Sequence, residues 1–271
     1  MTALALLTIA ACCHATWNLL LKNSSFPGPD LVWLCAAVTA PVSLVLLFSG
    51  GIGTTWWAAL VSMALHTGYA ITLQKAYGAG GFGVVYPVSR GTTPVLVTLA
   101  AIPWTGLPAP ITWAGAALVA GGVLVMDRSP TRRGLGRGVG LGLVVGACSC
   151  AYTLWDGYAI STLGVDLLPY LAVSNLAQFG LLTATLRPDR RLAAVLPHWR
   201  NAVPIAVLTP ASYGLVLVAM TLTSIEAVAV GRTLNVAVGT LLGLVVLRER
   251  LTPITATGLV AVVGGVLLVS T

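Results

Sequence analysis

Arg90 is the residue in this chain best placed to do chemistry. It stands in Tyr86-Pro87-Val88-Ser89-Arg90-Gly91-Thr92-Thr93-Pro94, well inside an apolar run near 82–104. A central arginine costs roughly 2.5–3.5 kcal/mol on membrane-insertion scales, so something must offset it. Pro87 and Pro94 each remove an amide donor and disturb the preceding turn. One solution is a helix broken at these prolines, with Arg90 lining a wet cavity. The other is an internal salt bridge, with Asp156 or Glu226 as partner. The second half of the chain holds a similar pattern, Gly231-Arg232 with Asn235 one turn on.

Other polar side chains interrupt apolar runs at helical spacing. His14, Trp17, Asn18 and Lys22 follow i, i+3, i+4, i+8, which places them on one helix face. Lipid cannot satisfy His14 or Asn18, so that face should meet a cavity or a neighbouring helix. His66 and Tyr69 share a face, as do Tyr152 and Asp156, with Trp155 beside them. Asp156 lies near the end of its run, where an ordinary solvated charge is an equal alternative. Ser174, Asn175 and Gln178 fall mid-run, and Tyr213 follows Thr209-Pro210, which mark a kink. The candidate substrate-binding set is therefore His14, Trp17, Asn18, His66, Tyr69, Tyr86, Arg90, Tyr152, Trp155, Asp156, Asn175, Gln178, Tyr213, Arg232 and Asn235.

The elements that must position these residues are long and apolar. Hydrophobic residues make up 57% of the chain and charged ones 8%, where a soluble domain carries about 25% charge. Mean hydropathy is +0.94. This composition excludes a water-facing surface and predicts an all-α polytopic membrane protein. Apolar runs long enough to span the bilayer lie near 2–21, 31–49, 55–77, 82–104 and 109–126, then 137–158, 166–186, 202–223, 227–247 and 252–270.

The two sets of five are related. PITWAGAALVAGGVLV at 110–125 is echoed by PITATGLVAVVGGVLL at 253–268, an offset of 143 residues. Such an echo, close to half the chain length, reads as a duplication. It predicts one repeat over 1–127, an arginine-rich connection over 128–136 and a second repeat over 137–271. Because five is odd, the second repeat enters the membrane from the opposite side. The repeats are then inverted, an architecture typical of secondary transporters. Glycines 138, 142 and 146 form a small-residue ridge for close helix packing, and Gly239 and Gly243 suggest another.

The net charge of +7 concerns topology rather than nucleic acid. Arg128, Arg132, Arg133, Arg137, Arg187, Arg190, Arg191, Arg200, Arg248 and Arg250 all fall in odd-numbered connections, which the positive-inside rule assigns to the cytoplasm. A multi-pass protein of the cell membrane follows, with both termini outside. The five cysteines lie in apolar runs without metal-ligand spacing, so they read as small buried thiols. No cofactor, metal or nucleic acid is expected, and the first run reads as retained rather than as a cleaved signal. No nucleophile elbow, HExxH, P-loop or dinucleotide fingerprint appears. The expected partners are a small-molecule substrate and the lipid bilayer, in a monomer or homodimer. A coupling proton is compatible with His14, His66 or Asp156.

Several stretches resemble one family. VVYPVSRGTTPVLVTL at 84–99 and AVAVGRTLNVAVGTLLGLVVLRERLTP at 227–253 look like the EamA-type members of the drug/metabolite transporter superfamily. HATWNLLLK at 14–22 and YAITLQKAY at 69–77 are similar to their first and third helices. The resemblance implies ten helices in two inverted five-helix repeats, a central cavity, and export or exchange of small metabolites by alternating access. It adds weight to Asn18, Tyr86, Arg90, Arg232 and Asn235. Two departures stand out. The family's glutamate after helix 4, matching Glu249, is replaced here by Pro103-Trp104-Thr105-Gly106-Leu107-Pro108, and the chain ends without the family's basic tail. Amino acids or similar amphipathic compounds suit paired arginines with aromatic walls. A flippase or transporter subunit for lipid-linked or cationic compounds, an intramembrane enzyme and a non-transporting assembly subunit are the alternatives.

Overall fold

The computed structural model describes residues 2–22, 29–50, 53–80, 82–126, 135–185, 197, 199–246 and 252–270. Helices account for nearly all of them: α1 Thr2–Lys22, α2 Pro29–Gly50, α3 Trp56–Gly80, α4 Phe82–Thr105, α5 Pro110–Met126 and α6 Leu135–Ser161. After these come α7 Leu167–Thr185, α8 Trp199–Met220, α9 Ile225–Gly231, α10 Leu234–Val246 and α11 Pro253–Ser270. The arginines at 128, 132, 133, 187, 190, 191, 248 and 250 lie outside the described residues, as does Glu249.

Among the described residues, four helices are long and apolar enough to cross a bilayer, over Asp30–Phe48, Arg137–Ser161, Leu167–Thr185 and Ala202–Met220. Shorter apolar helices lie at Thr2–Trp17, Pro110–Val125 and Ala256–Val269. The outside of the bundle is greasy. Phe48 is 89% exposed, Val260 72% and Val45 65%, a belt that water would penalise and lipid would not. Trp56 and Trp57 stand exposed at the start of α3, as aromatic anchors do at a membrane interface. The same structure holds a polar interior that includes Asp156, Glu226, Thr153 and Asn235.

The helix contacts obey a swap rule. α1 packs on α8 as α6 packs on α3, and α2 on α8 as α7 on α3. α4 packs on α6 as α9 and α10 pack on α1, while α2 pairs with α7 and α5 with α11. Among the described residues, the α5–α11 seam is the most extensive helix contact. Its glycines bring backbones together: a Cβ on Gly122 would lie 2.8 Å from the Gly258 oxygen, and one on Gly265 would lie 2.7 Å from the Gly115 oxygen. The α6 ridge works in the same way. A Cβ on Gly142 would meet Val88, and one on Gly146 would meet Thr92 Oγ1 at 2.5 Å, so α6 seats directly on the turn of α4 that carries Arg90. Gly239 has no such neighbour and is not a packing glycine.

Two expectations about helix geometry change. α4 runs unbroken through Pro87 and Pro94. Each proline forfeits a single amide donor, and the Thr92 and Thr93 hydroxyls add bonds to the Val88 and Ser89 carbonyls in the same turn, both at 2.7 Å. The break falls instead at Arg232-Thr233, between α9 and α10. There the amides of Thr233, Asn235 and Val236 bond three residues back, to Val230, Arg232 and Thr233, tightening the chain into a turn. Gly231 lies against α1 just before the break: a Cβ there would lie 2.5 Å from Leu7 Cδ1.

Candidate functional site

The broken segment presents Arg232 to α6. Its Nη1 donates to Thr153 Oγ1 at 3.0 Å and its Nη2 to Tyr152 Oη at 3.0 Å. The guanidinium carbon lies 5.3 Å from the Tyr152 ring centre and 5.7 Å from that of Tyr213, within cation–π range. Ser149 Oγ donates to Tyr152 Oη at 3.0 Å. Helical spacing explains the grouping: Ser149, Tyr152, Thr153 and Asp156 form one stripe of α6.

Around the same tyrosine gather residues of α3, α4 and α8. His66 stacks on Tyr152 with ring centres 4.1 Å apart, and Tyr69 meets it edge-on at 5.2 Å. Arg90 Nη2 donates to Tyr69 Oη at 3.1 Å. The two arginines therefore approach one aromatic cluster from opposite halves of the chain. Neither acid considered as a partner for Arg90 bonds to it. Asp156 pairs with His66, and Glu226, buried at the start of α9, accepts from Thr105 Oγ1 at 2.7 Å.

Asp156 is the clearest revision. It is 0% exposed and is not a solvated edge charge, because α6 continues to Ser161 and carries Asp156 more than a turn inside the bundle. Its Oδ2 lies 2.9 Å from His66 Nε2 and accepts from Tyr213 Oη, while Oδ1 accepts from Tyr170 Oη. His66 Nε2 is also 3.0 Å from Tyr213 Oη.

A narrow cleft opens beside Arg232. α1 contributes Leu7, Ala10, Ala11 and His14, α8 contributes Ser212, Tyr213 and Val216, and Asn235 closes the floor. Its volume is about 30 Å³, well below the roughly 300–1,000 Å³ of small-molecule sites. Asn235 Oδ1 is buried here with no hydrogen-bond partner among the described residues. His14 meets Trp17 edge-on at 4.8 Å. Trp17 turns its indole towards the apolar cluster of α2 and α8 instead of the cleft, and its Nε1 is buried with no described hydrogen-bond partner.

The structure moves three candidates away from this centre. Asn175 ties α7 to α2: its Nδ2 donates to Ser43 Oγ at 3.0 Å and its Oδ1 accepts from Thr39 Oγ1 at 3.0 Å. Gln178 Nε2 donates to Thr67 Oγ1 of α3 at 3.2 Å. Trp155 Nε1 donates to the Ala58 carbonyl at 3.0 Å, and its ring meets Trp57. All three are interhelical ties, which a polar position mid-helix signals as readily as a binding face. The side chains of Asn18 and Tyr86 lie outside the described residues. Sequence reasoning missed Thr153, Ser149 and Tyr170. The first two were legible as the remainder of the α6 stripe. Tyr170 carried no signal beyond being a tyrosine near a helix start.

A bundle of apolar helices around a polar, arginine-bearing centre defines a multi-pass membrane protein, and the comparisons specify which kind. Residues 136–271 match the EamA-like transporter family, and the chain belongs to it. It is a membrane transporter of the drug/metabolite transporter superfamily. A crystal structure described only as that of a protein shares the fold, with a TM-score of 0.80 and 18% identity over 100% of this chain and 98% of the other. No curated protein matches the sequence.

Proposed function

We propose that the chain is a secondary carrier of small metabolites bearing an anionic group, amino acids or similar amphipathic compounds, and that it exports or exchanges them by alternating access. In this reading ten membrane helices form two inverted five-helix repeats, residues 1–127 and 137–271, joined by 128–136. The α9–α10 pair counts as one interrupted span. The swap rule among the helix contacts supports the inversion. The arginine-rich connections face the cytoplasm of a cell membrane.

The observation that carries the proposal is Arg232 at a helix break, held by Tyr152 and Thr153 beside a cleft. Discontinuous helices at a repeat interface are where transporters place substrate sites. Two N–H groups are used in the bonds to Tyr152 and Thr153, out of about five on a guanidinium, and charge-assisted bonds to a carboxylate or phosphate are the strong ones. Arg90 enters the same cluster through Tyr69. His14 and Asn235 border the cleft from the other side, and Asn235 Oδ1 offers an acceptor to a substrate N–H. A cleft of about 30 Å³ is too small for a metabolite, so the halves must part before one enters.

Counterflow in proteoliposomes tests this. Vesicles loaded with pooled metabolites are challenged with labelled amino acids, wild type beside Arg90→Ala and Arg232→Lys. Uptake in the wild type with loss in both variants is expected. Equal uptake in all three would remove the arginines from the site, and no uptake of any pooled compound would remove the substrate class.

A further inference from the structure

We propose that the α9–α10 break is a two-point reader that sets specificity: Arg232 takes the substrate's anionic group, and Asn235 Oδ1 accepts from an N–H beside it. The aliphatic wall formed by α1 and α8 restricts the remainder of the substrate to a small aliphatic tail. The proposal rests on the carrier reading above and assigns to Asn235 the rejection of carboxylates that lack an amine.

The break places the two residues on one face. The Asn235 amide donates to the Arg232 carbonyl at 3.2 Å, three residues back. In that arrangement side chains at i and i+3 eclipse, whereas a regular α-helix would offset them by about 60°. Both side chains accordingly line the same cleft.

Asn235 is 8% exposed, and its Oδ1 has no hydrogen-bond partner among the described residues. Donors that share the cleft are committed elsewhere. Ser212 Oγ donates to the Thr209 carbonyl at 2.9 Å, Tyr213 Oη donates to Asp156, and Arg232 donates to Tyr152 and Thr153. A buried acceptor left without a donor is costly, and a substrate N–H supplies the donor. Asp156 is not the alternative acceptor, because its two oxygens already hold the Tyr170 and Tyr213 hydroxyls.

The rest of the cleft wall is apolar and made of methyl groups: Leu7, Ala10 and Ala11 of α1 and Val216 of α8, all buried. The nearby rings are engaged. Tyr152 stacks on His66 and carries the Arg232 guanidinium, and Tyr213 meets His66 edge-on under the same guanidinium. A tail leaving the reader towards α1 therefore meets aliphatic side chains and no open aromatic face. The substrate class that fits is the small aliphatic amino acids.

Two measurements test the reader, with valine, its amine-free analogue isovalerate, and phenylalanine as probes. In the first, each probe is added unlabelled, at rising concentration, to counterflow of the labelled amino-acid mixture. A site built to bond a substrate N–H rejects the analogue lacking it, so wild-type counterflow should be inhibited by valine at a concentration at least about tenfold below that of isovalerate. Phenylalanine should also compete more weakly than valine. Asn235→Leu keeps the size of the side chain and removes the acceptor, so it should bring valine and isovalerate to parity. Parity already in the wild type, or a variant that keeps the wild-type ratio, would overturn the proposal while leaving counterflow and the carrier reading intact. Phenylalanine competing as well as valine would overturn the aliphatic class.

The second measurement needs neither transport nor a variant. A ligand that binds the folded protein raises its thermal midpoint. Valine should raise the midpoint of the purified wild-type protein, and isovalerate at the same concentration should not. That result without counterflow would leave the reader standing and remove the carrier reading. No rise with valine, or an equal rise with both probes, would sink the reader whether or not the mixture is carried.

Discussion

Adjacent glycines on α5 offer a sharp test of the bundle's central seam. Gly121 and Gly122 have the same chemistry and lie in the same helix. A Cβ on Gly121 meets nothing within 4 Å. A Cβ on Gly122 falls 2.8 Å from the Gly258 oxygen, 2.9 Å from Ala261 Cβ and 3.0 Å from the Val262 nitrogen. The first of these must lengthen to the 3.4 Å at which ordinary contact begins, and two of the three are backbone atoms that no rotamer change can move. The helices must therefore part along the most extensive helix contact among the described residues. Overpacking of this kind costs about 1–3 kcal/mol. Both Gly→Ala changes share the same gain in helix propensity, about 1 kcal/mol, so it cancels in the comparison. Gly122→Ala should be less stable than Gly121→Ala by about 1–3 kcal/mol, measured by reversible unfolding in bicelles. Gly265→Ala, whose Cβ meets the Gly115 oxygen at 2.7 Å, should behave like Gly122→Ala. Equal stability of the Gly121 and Gly122 variants would refute the close α5–α11 approach.

Three further outcomes are expected. Asn175→Leu should lower stability by roughly 1–2 kcal/mol, since interhelical bonds in membranes contribute about 0.6 kcal/mol each on average, and should leave apparent substrate affinity unchanged in a counterflow titration. Tyr152→Phe removes the acceptor for Arg232 Nη2 and for Ser149 but keeps the ring; a bond to a charged group is worth about 1.5–3 kcal/mol, so the variant should be less stable by about that amount in reversible unfolding, and KM in counterflow should rise because Arg232 is no longer held. For topology, single cysteines introduced at Arg137 and Gly106 in a background lacking the native five should react with impermeant maleimide from opposite sides of the membrane, Arg137→Cys from the cytoplasm. Labelling from the same side would refute the assignment of alternate connections to opposite faces.

The reach of sequence reasoning is clearest where it depended on local chemistry. The apolar runs were legible because a bilayer core imposes a length and excludes charge, and the second run of the second half was recovered closely, 166–186 against Leu167–Thr185. The α6 glycine ridge was legible because small residues every fourth position can face only one neighbour. The prolines around Arg90 misled, because a missing amide predicts a weak point but not whether neighbouring hydroxyls and packing will offset it. The break at Arg232 carried no proline or other strong local signal.

Composition, the 143-residue echo and the helical spacing of polar residues were enough, with no coordinates, to establish an apolar helical membrane protein with EamA-type signatures. These are properties of single segments, set by hydrophobicity and periodicity. Which polar residues meet was decided only by the tertiary structure. Asp156 and His66 lie 90 residues apart, and Arg232 and Tyr152 80 apart, so no spacing rule links them. Asn175 and Gln178 had the same signature as the cavity residues, yet they tie helices together. The physical reason is that lipid forbids an unsatisfied polar group but does not choose its partner. That choice depends on how each helix is rotated and where its neighbours approach, and it is made by packing.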